Sequence, residues 1–221
     1  MPTFGFSAYL KLLASNDKPQ RSIIRTRLVP SGDGYDFHRS LRLRIEQLIS
    51  GGHTPDEVMR SIATIVKPPE RESVRAGLER LLIWRNQNPG EIFHVAPAIY
   101  QSPNDRFKVN FTPNFGIRIA GRNTAVHIWN TKTANLSPRI VYSALSLFTE
   151  QYRATEISLD DIAVLSLRDS ELYPLDLAAE TSFLGRAMAA RIETQFDRVT
   201  QELERTPEGE VIRSPSPSRP F

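Results

Sequence analysis

The sequence contains no cysteine. This absence excludes disulfides, thiolate zinc sites, cysteine nucleophiles and iron–sulfur clusters held by cysteine, and it agrees with a reducing compartment. No apolar run approaches the roughly 18 to 20 residues that a membrane span requires. Residues 1–6 also lack the basic region and apolar core of a secretory signal. We therefore expect a cytoplasmic protein with no membrane partner.

The net charge is small, at +3, but the basic residues are mostly arginine, with 23 arginines and 5 lysines. Arginine favours planar, two-pronged contacts with phosphate or carboxylate. Residues 18–44 carry seven basic and two acidic side chains, a local net charge of +5. This segment is a candidate patch for nucleic acid. The alternative, a solvated face paired with acids elsewhere in the fold, stays open at this point.

Apolar periodicity and capping signals predict a helical layer over residues 1–90. We expect a short helix in residues 4–14, loop and extended chain in 15–35, and helices over 36–50, from Thr54-Pro55 to the Pro68-Pro69 stop, and over 70–87. Residues 91–175 are predicted to form the sheet core. Its strands are expected at 92–100, 106–111, 116–120, 124–131, 162–167 and 171–175, with a helix over 137–152.

A long amphipathic helix is expected near residues 181–205, and its apolar face carries Leu184, Met188, Ile192, Phe196, Val199 and Leu203. Residues 206–221 are rich in serine and proline and are expected to form a disordered tail. The order of elements predicts one α/β (α+β) domain over residues 1–205. Its central mixed sheet of about five to six strands would be flanked by helices.

Residues 115–152 are the unit around which the rest is arranged. Two short apolar runs separated by Gly121-Arg122-Asn123 predict a β-hairpin, and Ser137-Pro138 predicts the start of the following helix. Positions two apart in a strand share a face, so Asn130 and Lys132 are expected to point the same way.

This unit and the segments before it resemble RecB-type members of the PD-(D/E)XK nuclease superfamily. The similar segments are Phe6-Ser7-Ala8-Tyr9-Leu10, His38 at the place of a metal-binding histidine, Gly116-Ile117-Arg118-Ile119-Ala120, Asn130-Thr131-Lys132-Thr133, and the helix with Tyr142. The resemblance covers about residues 4–175 and implies a restriction-endonuclease-like core.

Nucleases of this type need carboxylates on neighbouring strands to hold Mg²⁺ or Mn²⁺, and a lysine that orients the attacking water. In this sequence Arg118 or Ala120 stands at the first acidic position and Asn130 at the second. An amide is a neutral ligand, and an arginine repels a cation. We therefore expect no metal cofactor and no cleavage, with His38 as the remaining candidate metal ligand.

The altered motif leaves Lys132 and Asn130 at the former catalytic positions. The basic side chains around them suggest a hollow that binds DNA or RNA phosphates without cutting. Its candidate members are Arg118, Arg122, Lys132 and Arg139, with His38 beside them, and Arg39 and Arg42 are further candidate nucleic-acid contacts. Structural interpretations stay open beside this one: Lys132 as an ordinary strand-end residue, Asn130 as a turn residue, His38 as a boundary residue and Tyr142 as a core residue.

Three functions are compatible with the sequence. The first is an inactive nuclease-like module that binds nucleic acid or serves as a non-catalytic subunit. The second is an active Mg²⁺- or Mn²⁺-dependent nuclease whose acids have moved, for example to Glu46, Asp105 or Asp169. The third is a protein-interaction or homo-oligomerisation domain that uses the C-terminal helix.

Overall fold

The computed structural model describes residues 1–29, 36–131, 136–154 and 158–205. Within these ranges the chain is mixed α/β, with eight α-helices and two mixed sheets of three and five strands. None of the helices in the described ranges combines the length and the apolar character needed to cross a membrane. The predicted tail, residues 206–221, lies outside the described residues.

The first half of the chain is mostly helical. It contains α1 (Phe6–Leu13), α2 (Asp17–Leu28), α3 (Arg39–Ile49), α4 (Pro55–Ser61), a 3₁₀ turn (Ile62–Thr64) and α5 (Pro68–Gln87). As expected, Thr54 caps α4, and it forms a reciprocal capping box with Glu57. The prediction that Pro68-Pro69 ends a helix is wrong, because both prolines occupy the first turn of α5, where their missing N–H groups cost nothing.

Two elements of this region differ from the sequence prediction. Residues 17–28 form a helix rather than a loop. A short strand, β1 (Thr3–Gly5), precedes α1 and pairs in parallel with a strand more than 100 residues away. The first 90 residues are therefore not purely helical, because their opening strand belongs to a sheet.

The larger sheet has the order β2-β5-β6-β7-β8. Its strands are β2 (Glu91–Phe93), β5 (Phe115–Ile119), β6 (Arg122–Trp129), β7 (Asp161–Ser166) and β8 (Glu171–Asp176). Strand β7 runs parallel to β6, and the other neighbouring pairs are antiparallel. The parallel pair is made possible by the helices α6 (Pro138–Leu145) and α7 (Thr149–Arg153), which lie between β6 and β7 in the chain.

The smaller sheet has the order β1-β4-β3, with β3 (Ala98–Gln101) and β4 (Lys108–Phe111). The single strand predicted over residues 92–100 is thus two strands in two different sheets. The helix predicted over 137–152 is also divided, because α6 ends at Leu145 and α7 begins at Thr149.

Strand β6 separates two hydrophobic cores by its alternating side chains. Val126 and Ile128 belong to a core shared with α3, α4 and α5. Ala125 and Trp129 belong to the second core, which includes side chains from α1, α6, α8 and the smaller sheet. The hairpin of residues 115–129 is therefore covered on both faces.

The C-terminal helix, α8 (Ser182–Arg205), buries Ile192, Phe196 and Val199 of the predicted apolar stripe, and Met188 and Leu203 pack partly buried beside them. Phe196 contacts the rings of Phe4 and Phe107 at centroid distances of 6.1 and 5.5 Å. On its outer edge, Glu202 pairs with Arg21 and Arg25 of α2. Because these apolar side chains already pack within the chain, the stripe is not a free surface for oligomerisation.

Candidate functional site

The hairpin register separates the residues that the resemblance brought together. Ala120 and Gly121, both at positive φ, form the two-residue turn, and Arg118 stands opposite Asn123. Asn130 lies seven residues beyond Asn123, a distance of about 23 Å along an extended strand. Arg118 and Asn130 are therefore at opposite ends of the hairpin. The predicted basic hollow stays a prediction, because Lys132, one of its members, lies outside the described residues.

At the turn end, the two arginines contact acidic and amide side chains. The Arg122 guanidinium donates two hydrogen bonds of 2.7 Å to the Asp161 carboxylate and also pairs with Asp176 at 3.2 Å. These acids raise the pKa of Arg122. Arg118 donates to the Asn123 side chain at 3.0 Å and lies 3.5 Å from a carboxylate oxygen of Glu91. A phosphate would have to compete with these partners, and most strongly at Arg122.

At the other end of the hairpin, Asn130 faces α5. Its side-chain nitrogen lies 3.4 Å from both the carbonyl and the hydroxyl oxygen of Ser73. A Cβ atom at Gly77 would come within 3.0 Å of the same nitrogen, so the missing side chain at Gly77 lets α5 approach closely. Asn130 thus connects β6 to α5. Lys132 lies outside the described residues, and its phosphate-binding and strand-end interpretations both stay predictions.

Arg139 and Tyr142 lie on α6, whose first turn is capped by the Ser137 hydroxyl. Arg139 is exposed, and it makes no ion pair with any described residue. Tyr142 is half-buried and packs against the second hydrophobic core. This agrees with the core interpretation of Tyr142.

The start of α3 presents Arg39 and Arg42 to solvent. Arg42 forms an ion pair with Asp36, whereas Arg39 has no acidic partner among the described residues. His38 is the N-cap residue of this helix and stands edge-to-face against Phe37. Burial lowers the pKa of His38, and this effect outweighs the nearby Asp36 carboxylate, which acts in the opposite direction.

A groove of about 620 Å³ lies between α3 and the edge of the larger sheet. Its helical wall consists of Arg39, Arg42, Leu43, Glu46, Ile49 and Ser50, its strand wall of residues 92–95, and its floor of Thr112, Asn114 and Phe115. Phe93 covers Gly116 so closely that a Cβ atom there would lie 2.3 Å from the ring. The groove is thus apolar along its walls, with arginine at one end.

Next to the floor of this groove, His127 links β6 to α1. The Thr112 carbonyl can only accept, so His127 donates from Nδ1 to it at 3.0 Å, and Nε2 accepts from the Ser7 hydroxyl at 2.8 Å. Burial lowers the pKa of His127 to about 4. This serine–histidine pair has a carbonyl in place of an orienting carboxylate, and its imidazole is a weak base. At neutral pH it acts as a structural link.

The acidic residues named as examples of relocated acids lie on three different parts of the fold. Glu46 lies on α3, Asp105 accepts a hydrogen bond from Gln101 in the turn between β3 and β4, and Asp169 is exposed in the turn between β7 and β8. In the part of the chain that the structure describes, no three histidine or acidic side chains come together as possible metal ligands.

Two buried residues near these sites were not among the predicted site residues. Glu70 is buried at the start of α5 and influences His38 electrostatically, and His127 is buried on β6. A sequence signal for His127 is its place on the same strand face as the apolar Trp129. Its hydrogen bond with Ser7 joins residues 120 positions apart, which no local pattern indicates.

A scan against protein-family models finds no match to this chain, and a search of curated proteins finds no significant similarity.

Proposed function

We propose that this protein binds DNA or RNA through the exposed arginines at the start of α3, without cleaving it. The observation that carries the proposal is the position of Arg39 and Arg42, three residues apart on one helix face and both exposed at the end of an open groove. Arginine there can contact phosphate in two-pronged geometry. Arg139, exposed on α6, is a further candidate contact.

The proposed relationship to PD-(D/E)XK nucleases is supported by element order. The antiparallel strands β5 and β6 are followed by α6, which carries Tyr142, and this is the order of elements on which the resemblance depends. A restriction-endonuclease-like core remains part of the proposal rather than a finding.

The non-catalytic part of the proposal is supported by the chemistry of the hairpin. Asn130 offers an amide where a nuclease needs a carboxylate, and its nitrogen is directed at Ser73. Arg118 is near the turn at the other end. The proposal therefore places the contacts at Arg39 and Arg139, which have no acidic partner among the described residues, and at Arg42, whose exposed pair with Asp36 a phosphate would replace. Arg118 and Arg122 stay in their ion pairs.

Fluorescence anisotropy with labelled single- and double-stranded DNA and RNA tests binding. We expect affinity to fall with salt, because bound phosphates release counterions. Replacing Arg39 and Arg42 together by glutamine should reduce the slope of log K against log salt by about 1.4 to 1.8, since each phosphate contact contributes about 0.7 to 0.9. Arg80→Gln is the control, because it removes the same charge from an exposed arginine of α5 that lies outside the proposed contact.

Two results would contradict the proposal. Binding that is absent, or that weakens equally in Arg80→Gln and in the α3 variants, would show that the α3 arginines are not the contact. Products formed from labelled DNA or RNA in Mg²⁺ or Mn²⁺, and lost with chelator, would show that the protein is an active nuclease with a metal site built from other residues.

A further inference from the structure

The groove beside α3 has one wall formed by four consecutive residues, Ile92 to Val95. Ile92 and Phe93 are consecutive residues of β2 and pack against the cores on opposite faces of the sheet, so both can line one groove only where the strand presents its edge to it. His94 and Val95 follow the strand and continue the same wall. The groove is therefore bounded by a helix on one side and by the edge of a sheet on the other.

Strand β2 is hydrogen-bonded on one side only, to β5. Every second residue of such an edge strand directs its backbone N–H and C=O away from the sheet. Within the described residues, positions 92–95 make no backbone hydrogen bond outside the β2–β5 ladder. The outer edge of β2 thus carries unused donors and acceptors that face the groove.

The opposite edge of the same sheet is protected in a way that β2 is not. Strand β8 contains Pro174, exposed on the outermost strand, and proline has no N–H to offer a further strand. Residues 91–95 contain no proline. One edge of the sheet is blocked, and the other opens into an apolar groove.

We propose that this groove binds an extended peptide segment of a partner protein, which adds to β2 as a sixth strand of the larger sheet. Its apolar residues at alternate positions would lie against Leu43, Ile49 and Phe93, and an acidic residue would lie at the end where Arg39 is exposed without an acidic partner among the described residues. This binding mode supplies main-chain hydrogen bonds for affinity and side-chain pockets for specificity.

The groove has the length for a short segment. The lining residues of the helical wall run from Arg39, the first residue of α3, to Ser50, its C-cap, and eleven steps of a helix correspond to about 16 Å. An extended chain covers that distance with about five residues. This inference goes beyond the proposed nucleic-acid binding, although the two ligands would share Arg39 and should compete for it.

Anisotropy titrations with fluorescein-labelled hexapeptides test the proposal. The panel carries Val, Ile, Leu, Phe or Tyr at alternate positions, threonine between them and a terminal aspartate. At least one peptide should bind with a Kd of about 100 μM or tighter. Two N-methylated versions of this peptide, one methylated at the odd and one at the even amides, keep the side chains but lose alternate N–H donors. One of the two should bind at least about tenfold more weakly than the unmethylated peptide.

Variants of the protein locate the contact. Leu43→Ser should weaken peptide binding about five- to tenfold because apolar contact area is lost, whereas Val66→Ser, at a side chain 90% exposed and outside the groove, should leave it unchanged. Neither variant should affect DNA or RNA binding, which separates the two proposals. Bound peptide should also slow amide hydrogen exchange at alternate residues of 92–95.

The proposal is wrong if no peptide of the panel binds at about 1 mM. It is equally wrong if N-methylation in both registers leaves affinity unchanged, since the peptide would then not pair with a strand. Equal loss in Leu43→Ser and Val66→Ser, or unchanged exchange at residues 92–95, would place the peptide elsewhere on the surface.

Discussion

The buried imidazole of His127 should make the stability of this protein depend on pH. Burial lowers the pKa of His127 to about 4 from an ordinary value of 6.5. In the unfolded chain the same imidazole has a pKa near 6.5. Between about pH 4 and pH 6.5 the unfolded state therefore binds a proton that the folded state does not bind. Stability should therefore fall as the pH is lowered through this window.

The size of the effect follows from the two pKa values. At about pH 5 the unfolded imidazole is almost fully protonated and the folded one mostly neutral, which reduces the free energy of unfolding by about 2 kcal/mol relative to pH 7. The loss should approach about 3 kcal/mol near pH 4. Protonation would also reverse the hydrogen bond with Ser7, because Nε2 would then donate to the hydroxyl oxygen.

Urea unfolding of the wild type and of His127→Gln at both pH values isolates this contribution. Other groups titrate in both proteins, so the relevant quantity is the change in their difference: wild type should lose about 2 kcal/mol more than the variant between pH 7 and pH 5. His53→Gln, at an exposed histidine, is the matched control. If the difference between wild type and His127→Gln is the same at both pH values, the imidazole is not buried as described.

Three further substitutions test particular packing and capping contacts by thermal or urea unfolding. Gly90→Ala should be strongly destabilising, because its Cβ atom would lie 2.2 Å from the Arg118 carbonyl oxygen. Gly5→Ala, where no atom lies within 4 Å of the added Cβ, should change stability little. Equal melting temperatures of these two variants would contradict this prediction. Thr54→Ala should lower the free energy of unfolding by about 1 kcal/mol, with Thr54→Ser retaining most of it, since the hydroxyl caps α4. Gly185→Ala should also destabilise the protein, because the added Cβ would lie 2.6 Å from the Ser146 hydroxyl oxygen where α8 crosses α6. An unchanged unfolding midpoint would show that the two helices can move apart without loss of stability.

Elements with strong local signals could be predicted from the sequence. The capping residues Thr54 and Ser137 mark helix starts in the structure, and the β-hairpin turns at Gly121. Helix α2 gave no such signal, because only Gln20 and Ile24 are buried in it and one of them is polar. It is held by long-range contacts with α8, which a local pattern cannot reveal.

The candidate site could be predicted less well, for a geometric reason. Alternation along β6 identifies which side chains share a face, but the place of each residue along the strand depends on register. A turn at Ala120-Gly121 puts Arg118 near the turn and Asn130 nine residues beyond it. The distance between these two residues could therefore have been predicted from the position of the turn alone. The ion pairs of Arg122 depend instead on β7 and β8, whose position in the sheet only the structure provides.

The docking of α8 onto β1, α2 and α6 has a consequence for synthesis of the chain. Phe4 and its partner Phe196 are separated by almost 200 residues, so the first emerges from the ribosome well before the second is translated. During that interval the surface that α8 covers stays open, and contacts over such long sequence separations slow folding. The nascent chain should therefore present this hydrophobic surface until α8 emerges, which makes it a candidate for chaperone binding.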